Sequence, residues 1–143
     1  MDIQFINTSE WGIKKPGFDT YIRRLKKHVL GPETSSGEGI LNVVFVNDDY
    51  IQSLNKQYRH KDQPTDVLSF SYLDTPDFEE TELIGEIYIS VETAKRQAEE
   101  HKHDLADELY KLFVHGFLHV FGHNHELEND FEKMNKIERE VLG

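Results

Sequence analysis

Hydrophobic positions along the chain repeat at every second residue in some segments and at every third or fourth residue in others. These two spacings predict a protein that contains both strands and helices. Short alternating or continuous apolar runs predict four β-strands, at Asp2–Asn7, Leu41–Val46, Asp66–Tyr72 and Ile84–Ser90. Apolar residues three and four positions apart predict helices that start near Phe18 and after the capping residues Asn47, Ser90 and Asp104, with a last helix over Glu126–Leu142. We therefore expect an α+β fold, a single domain over residues 1–143 with a mixed sheet of about four strands. The order of the strands is not readable from these patterns.

The helix predicted over Asp104–Phe121 is the most apolar of the chain, and we expect it to be packed centrally. Its apolar positions are Leu105, Leu109, Leu112, Phe113, Phe117, Leu118 and Phe121. Asp104 can cap its N-terminus, and Gly122 can end it in the left-handed conformation that glycine adopts without strain.

Three histidines at the end of this helix predict a metal site. The segment HGFLHVFGHNH places His115 and His119 one turn apart on the same helical face, and Gly122 permits a reversal that returns His125 toward them. Three imidazoles favour zinc, one ion per chain, and leave a fourth position for water, as in catalytic zinc sites. The spacing is that of metzincin proteases, but Gly116 stands where those enzymes carry a glutamate base.

Other histidines and a methionine near this motif are not expected to bind the metal. His123 falls on a variable position of the motif, and His101 and His103 are expected to be solvent-exposed rather than metal ligands. Met134 lies at helical spacing with Phe131 and Ile137, which favours core packing.

A second polar constellation lies in the segment LNKQYRHKDQPTDVLSF, residues 54–70. A helix end presents Arg59, and Pro64 turns the chain into a strand that begins with Thr65 and includes Ser69. These residues can be ordinary caps and turn formers, or they can bind an anionic oxygen. Arginine binds phosphate in a bidentate manner and keeps its charge at every physiological pH.

Charge and composition limit the possible partners. The chain has 143 residues, a net charge of −11 and no cysteine, so a disulfide framework is excluded. Residues 1–75 carry 9 Lys/Arg and 10 Asp/Glu, whereas residues 76–143 carry 7 and 17. The N-terminal half is therefore locally basic, with a cluster formed by Lys14, Lys15, Arg23, Arg24, Lys26 and Lys27. The sequence lacks a signal peptide pattern and a long apolar run, which favours a cytoplasmic protein with no membrane partner.

From about Ile40 to Leu142 the chain resembles the YbeY family of bacterial ribosomal RNA maturation factors. The resemblance rests on LNKQYRHKDQPTDVLSF, IGEIYIS, HGFLHVFGHNH and the following helix with Met134 and Glu138, in the same order and spacing. Two positions depart from the family pattern, because Asn124 and Glu86 stand where the family usually has aspartates.

The resemblance implies a zincin-like central helix whose His115, His119 and His125 bind zinc, and an essential Arg59 facing the metal cleft. It also implies a single-strand-specific endoribonuclease of precursor ribosomal RNA, acting in 16S rRNA 3′-end maturation and ribosome quality control. Partners would be RNA of the small ribosomal subunit, with ribosomal or GTPase assembly proteins as further possibilities, and not DNA. Thr65 and Ser69 are the expected substrate contacts beside Arg59.

The chemistry leaves alternatives open. The nucleophile is either a metal-bound water or the 2′-hydroxyl of the RNA, and the general base and the oligomeric state are not identified. A second function is a zinc-stabilised ribosome assembly factor that binds precursor rRNA or a ribosomal protein with little catalysis of its own. A third is a metallopeptidase that takes its base from elsewhere, such as Glu86.

Overall fold

A computed structural model of the chain describes residues 1–30, 39–73, 83–122 and 128–143. Its four strands are β1 (Asp2–Ile6), β2 (Ile40–Val46), β3 (Val67–Ser71) and β4 (Leu83–Ser90). The described residues form six α-helices, α1 (Thr8–Trp11), α2 (Asp19–Leu25), α3 (Asp48–Arg59), α4 (Val91–His101), α5 (Leu105–Val120) and α6 (Glu128–Leu142). A 3₁₀ turn (Lys15–Phe18) precedes α2, and a π-helical turn (Lys26–Leu30) follows it. The predicted α+β class and its four strands are confirmed.

The sheet is mixed, with the strand order β1-β2-β4-β3. β1, β2 and β4 run parallel, and β3 pairs antiparallel with β4 at one edge. Because side chains alternate along a strand, β2, β3 and β4 present one set of residues to α5 and the other set to α3, whereas the alternate residues of β1 are exposed.

The main core lies between the sheet and α5. Val43, Phe45, Ile87 and Ile89 of the sheet are fully buried there, in one cluster with the apolar positions of the helix. Gly85 brings the end of α5 close, since a Cβ at this position would lie 2.8 Å from a methyl group of Val120. The prediction of a buried central helix is confirmed.

A smaller cluster on the other face of the sheet anchors α3. Val46, Ile51 and Leu68 are its buried members. Asn47 caps α3 as predicted, because its side-chain oxygen accepts a hydrogen bond from the amide of Tyr50 at 2.8 Å. This packing fixes the C-terminal end of α3, where Arg59 lies, beside the edge strand β3.

Some local predictions need adjustment. Ser90 caps α4 as expected, but Asp104 occupies the N-cap position of α5 without a side-chain hydrogen bond. The helix expected from Phe18 is divided among 3₁₀, α and π geometry, and α1 was not predicted. The predicted loop at 74–81 lies outside the described residues, as does the loop at 33–39 except for Gly39. The same holds for His123, Asn124 and His125 and for the first residues of the last predicted helix.

Candidate active site

Two of the predicted metal ligands converge at the C-terminal end of α5. The Nε2 atoms of His115 and His119 lie 3.0 Å apart, and the ring centroids are separated by 4.5 Å. Both side chains are partly exposed, although most of the helix around them is buried. Nitrogen atoms that meet this closely can share a cation as common ligands, so the donor pair fits a zinc ion.

Glu138 of α6 contacts the outer nitrogen of the first histidine. Its Oε1 atom lies 3.4 Å from Nδ1 of His115. A carboxylate in this position orients the ring and favours the proton on Nδ1, which leaves the Nε2 lone pair directed at the neighbouring histidine. Sequence reasoning placed Glu138 only in the matching last helix and missed this contact, because the pairing of two helices is not encoded by spacing within either one.

The C-terminal end of α5 has the backbone conformation that the sequence predicted. Gly122 has φ +88°, in the left-handed region, and its amide donates to the carbonyl of His119 at 3.2 Å. The predicted left-handed end of the helix is therefore confirmed. The third predicted ligand, His125, lies outside the described residues.

The packing around Gly116 leaves no space for the glutamate base of a metzincin protease. A Cβ atom at this position would lie 2.7 Å from Cγ2 of Ile87 and 3.1 Å from the hydroxyl oxygen of Ser69. Ile87 is fully buried in β4, so it cannot move aside without disturbing the core. The backbone of α5 thus packs directly on the sheet, and this face of the helix has no room for a glutamate.

Arg59 reaches the same cleft from the other side of the edge strand. Its Nη2 donates to the carbonyl oxygen of Ser69 at 3.0 Å, and its guanidinium carbon lies 5.5 Å from the ring centroid of Phe70. One cavity of about 510 Å³ is lined by Arg59, Val67, Leu68, Ser69, Ser71, His115 and His119. The structure therefore brings Arg59 and Ser69 together with the two described histidines.

Thr65 lines an adjoining cavity. This second cavity, of about 340 Å³, is lined by Asn55, Arg59, Lys61, Gln63, Pro64, Thr65 and Leu68. The turn that forms it is fixed by the side-chain amide of Asn55, whose Nδ2 donates to the carbonyl of Gln63 at 2.9 Å. Arg59 borders both cavities, so they form a continuous surface from the histidines to the basic end of α3.

Glu86, the alternative base considered above, lies on the opposite face of the sheet. Its two carboxylate oxygens accept hydrogen bonds from the hydroxyls of Tyr72 and Tyr88, each at 2.7 Å. Burial, with the added effect of these contacts to Glu86, raises the pKa of Tyr72 to about 12 and raises the pKa of Tyr88 further. The sheet separates Glu86 from the histidines, so it is not placed to act as their base.

The expected solvent exposure is confirmed for His101, whose side chain is 46% exposed, whereas the side chain of His103 is 31% exposed. Both rings contact the carboxylate of Glu108, a buried residue in the first turn of α5. The sequence carried a signal for this, because Glu108 falls between Leu105 and Leu112 on the apolar stripe of its helix. A charged residue at such a position needs a buried partner.

An α+β fold with two converging histidines and an arginine in one cleft defines a class of candidate hydrolases. Similarity to known proteins makes the assignment of the protein family more specific. Residues 4–143 match the family model described as Endoribonuclease YbeY. The chain belongs to this family of endoribonucleases.

Individual relatives agree with the family match. An Endoribonuclease YbeY of Pelotomaculum thermopropionicum is 42% identical, over 85% of this chain and 82% of its own length. One from Bacillus mycoides is 35% identical, over 98% of this chain and 93% of its own length. The solution structure of TM1509 from Thermotoga maritima superposes with a TM-score of 0.58 at 32% identity, covering 99% of this chain and 90% of that one.

None of the helices in the described part of the chain is long and apolar enough to cross a membrane.

Proposed function

We propose that the chain, acting as a single domain over residues 1–143, is a zinc-dependent endoribonuclease specific for single-stranded RNA. The observation that carries this proposal is the cavity that His115 and His119 share with Arg59. The names of the relatives support cleavage of RNA. His115, His119 and His125 would bind one zinc ion per chain, and this ion would supply Lewis-acid polarisation of a phosphoryl oxygen.

The protein's own residues position the RNA and balance its charge. Arg59 donates one hydrogen bond to Ser69 and carries further N–H groups, which suit the charge that develops on phosphorus oxygens in the transition state. The hydroxyls of Ser69 and Thr65 lie along the same surface and can donate to neighbouring phosphates. Glu138 keeps the ring of His115 oriented toward the metal position.

The substrate we propose is precursor ribosomal RNA of the small subunit, with cleavage at the 3′ end of 16S rRNA and a part in ribosome quality control. Cytoplasmic action with RNA, and not with DNA or a membrane, follows from the same proposal. Ribosomal proteins or assembly GTPases would be the protein partners. Binding of the purified chain to precursor small subunits, compared with mature ones, tests this part directly.

Replacing Arg59 with alanine tests the catalytic assignment. We expect RNA cleavage to fall by about a hundredfold or more, the scale of losing one preorganised charge contact. Zinc content should be unchanged, because Arg59 is not among the proposed ligands. Arg139→Ala, an exposed arginine of α6, is the matched control and should leave cleavage intact. Loss of zinc in Arg59→Ala, or undiminished cleavage, would contradict the assignment.

Replacing His119 with alanine distinguishes metal-dependent cleavage by this protein from cleavage by a contaminating nuclease. Zinc binding at this site and RNA cleavage should disappear together if the proposal holds.

A 2′-deoxy nucleotide at the scissile position identifies the nucleophile. Cleavage that survives the substitution indicates attack by water, and cleavage that is blocked indicates attack by the 2′-hydroxyl.

A second candidate function is favoured by the chemistry of the cavity lining. Among the described residues that line it there is no carboxylate to act as a general base. A zinc-stabilised assembly factor that binds precursor rRNA or a ribosomal protein needs no such base. Stringently purified protein that retains zinc and ribosome binding but cleaves no RNA would favour this function over the nuclease.

A further inference from the structure

A second group of metal-binding side chains lies at the junction of α4 and α5. Among the described residues, His101, His103 and Glu108 place three ligand atoms within 4.8 Å of one another. Glu108 precedes His115 by seven residues on α5, which is about 10 Å along the helix axis. The group is therefore separate from the cleft described above.

The chain builds this junction with a tight left-handed turn. α4 ends at His101, Lys102 follows with φ +57°, and the amide of His103 donates to the carbonyl of Ala98 at 3.1 Å. The turn reverses the chain between the two histidines, so both rings face the first turn of α5. Nε2 of His103 lies 2.6 Å from Oε2 of Glu108, and Nδ1 of His101 lies 3.4 Å from the same oxygen.

The buried position of Glu108 makes a neighbouring cation favourable for its carboxylate. The side chain of Glu108 is 1% exposed, next to the buried Leu109 and Leu112. A carboxylate removed from water is strongly disfavoured unless a positive charge lies against it. The side chains of His101 and His103 remain 46% and 31% exposed, so an ion can reach the group from solvent and keep water on its open side.

We infer that His101, His103 and Glu108 form a second divalent-cation site that takes zinc or a similar late first-row ion. Two imidazoles and one carboxylate are a donor set that zinc uses in proteins, and the small separations permit a single ion to bind all three. The ion neutralises the buried carboxylate and links the end of α4 to the start of α5. The competing arrangement is a protonated imidazole that neutralises Glu108 without metal.

Zinc stoichiometry distinguishes the two arrangements. The full-length chain is dialysed to equilibrium against buffered zinc, and bound metal is measured by atomic spectroscopy. We expect about two ions per chain for the wild type, about one for His119→Ala, about one for His101→Ala/His103→Ala and none for the triple variant. His28→Ala removes another exposed histidine, paired with Glu140, and should still bind two.

Thermal unfolding provides a readout at the junction alone. In the His119→Ala background the cleft site is disabled, and added zinc should still raise the Tm because it binds only the folded chain. The rise should vanish when His101→Ala is added. His119→Ala/His101→Ala removes only the half-exposed ring of His101 from the junction, so it is expected to fold even if His101→Ala/His103→Ala does not.

Wild-type zinc content in His101→Ala/His103→Ala, or no zinc-dependent Tm rise in His119→Ala, would overturn this inference. Such a result would leave the nuclease proposal unaffected, since that proposal rests on the zinc lost in His119→Ala.

Discussion

Gly116 allows α5 to pack directly on β4, because it has no side chain. Adding a glutamate there would restore the metzincin pattern, but its Cβ would collide with the fully buried Ile87. We expect Gly116→Glu to lower the free energy of unfolding by about 3 kcal/mol or more and to produce no peptidase activity. Urea unfolding and a peptide-cleavage screen measure the two effects.

Ala106→Glu is the control for this change, since it adds the same side chain to an exposed position in the first turn of the same helix. Its free energy of unfolding should stay within about 0.5 kcal/mol of the wild type. Equal stability of the two variants would show that the contact with Ile87 is not limiting.

Tyr72 and Tyr88 make the stability of the protein fall at alkaline pH. An unfolded tyrosine has a pKa of about 10, whereas burial and Glu86 raise the pKa of Tyr72 in the folded chain to about 12. The folded state therefore holds these protons more tightly, and this contribution is complete below pH 10 and is lost as pH rises toward 12. We expect Tyr72→Phe or Tyr88→Phe to flatten the decline of the urea midpoint between about pH 10 and pH 12, a range set by those two values.

Tyr50→Phe provides the comparison, because this ring is exposed and its hydroxyl is not bonded to Glu86. It should retain the wild-type slope. An identical slope in all three variants would mean that the Glu86 contacts do not persist in solution.

Single residues were predictable from sequence where their role is local. Asn47 and Ser90 cap helices that follow them directly, and a cap depends on only a few neighbouring residues. Glu108 and Glu138 were not assigned, because each contacts a residue from another element. Tertiary pairing of this kind leaves no trace in local spacing, apart from the unusual position of Glu108 on an apolar stripe.

At the scale of elements, the start of α3 is tied to the start of α4 by one carboxylate. Asp48 accepts hydrogen bonds from the hydroxyls of Ser90 and Thr93 and from the guanidinium of Arg96, at 2.6 to 2.9 Å. Burial alone would raise the pKa of Asp48, but these three contacts outweigh it and hold the pKa below its usual value. The contacts join both helices to the end of β4, which keeps α3 in position to present Arg59.

The turn at the end of α5 is the element boundary that precedes the third ligand of the proposed histidine site. Gly122→Ala forces a side chain into the left-handed region, although a Cβ there would have no neighbour within 4 Å. We expect a cost of about 1–2 kcal/mol in the free energy of unfolding from the backbone alone. Zinc affinity at the proposed His115–His119–His125 site should fall as well, which competition with a chromogenic chelator measures.

Gly12→Ala separates these two effects. Gly12 also has a positive φ and no neighbour within 4 Å of a Cβ, but it follows α1 and lies far along the chain from the histidines. It should lose similar stability and keep its zinc affinity. If both variants bind zinc equally well, the turn at Gly122 does not control the site.

Periodicity predicted the elements well and their internal geometry less well. The four strands and the main helices appear near the expected residues, because a half-buried strand or helix must place apolar residues at its own repeat. The π turn at Lys26–Leu30 was not predicted, since its i→i+5 hydrogen bonds extend over only five residues, which is too short a segment to show a distinct apolar repeat.

At the scale of the whole molecule, the uneven charge of the chain predicts how it binds RNA. The C-terminal half carries most of the net charge of −11, while Arg23, Lys26 and Lys27 belong to α2 and the turn after it. Replacing these three with glutamine should reduce the slope of log affinity against log salt by up to about 2, at about 0.7 per phosphate contact on a single strand. Fluorescence anisotropy with labelled RNA at several salt concentrations measures the slope.

Replacing Lys111, Lys133 and Lys136 removes the same charge from exposed positions of α5 and α6. If only net charge matters, both triple variants will change the slope equally, and the basic N-terminal cluster will have no special role in binding RNA.

Sheet order is the property of the whole molecule that the sequence left open. Each strand pattern shows which residues face a helix, but the position of β4 between β2 and β3 depends on how the helices pack across the sheet. That order places Ile87 under α5 and the edge strand β3 beside Arg59, so it determines the cleft without being visible in any one segment.

The close contact between Gly116 and Ile87 limits how this fold can acquire a new reaction in evolution. A carboxylate introduced first at residue 116 meets the methyl group of Ile87 and destabilises the chain. Trimming Ile87 to alanine first opens a core cavity at a cost of about 2–5 kcal/mol. Each single step therefore uses up a large part of the stability of a domain of this size, so a lineage can reach a proteolytic descendant only after gaining stability elsewhere.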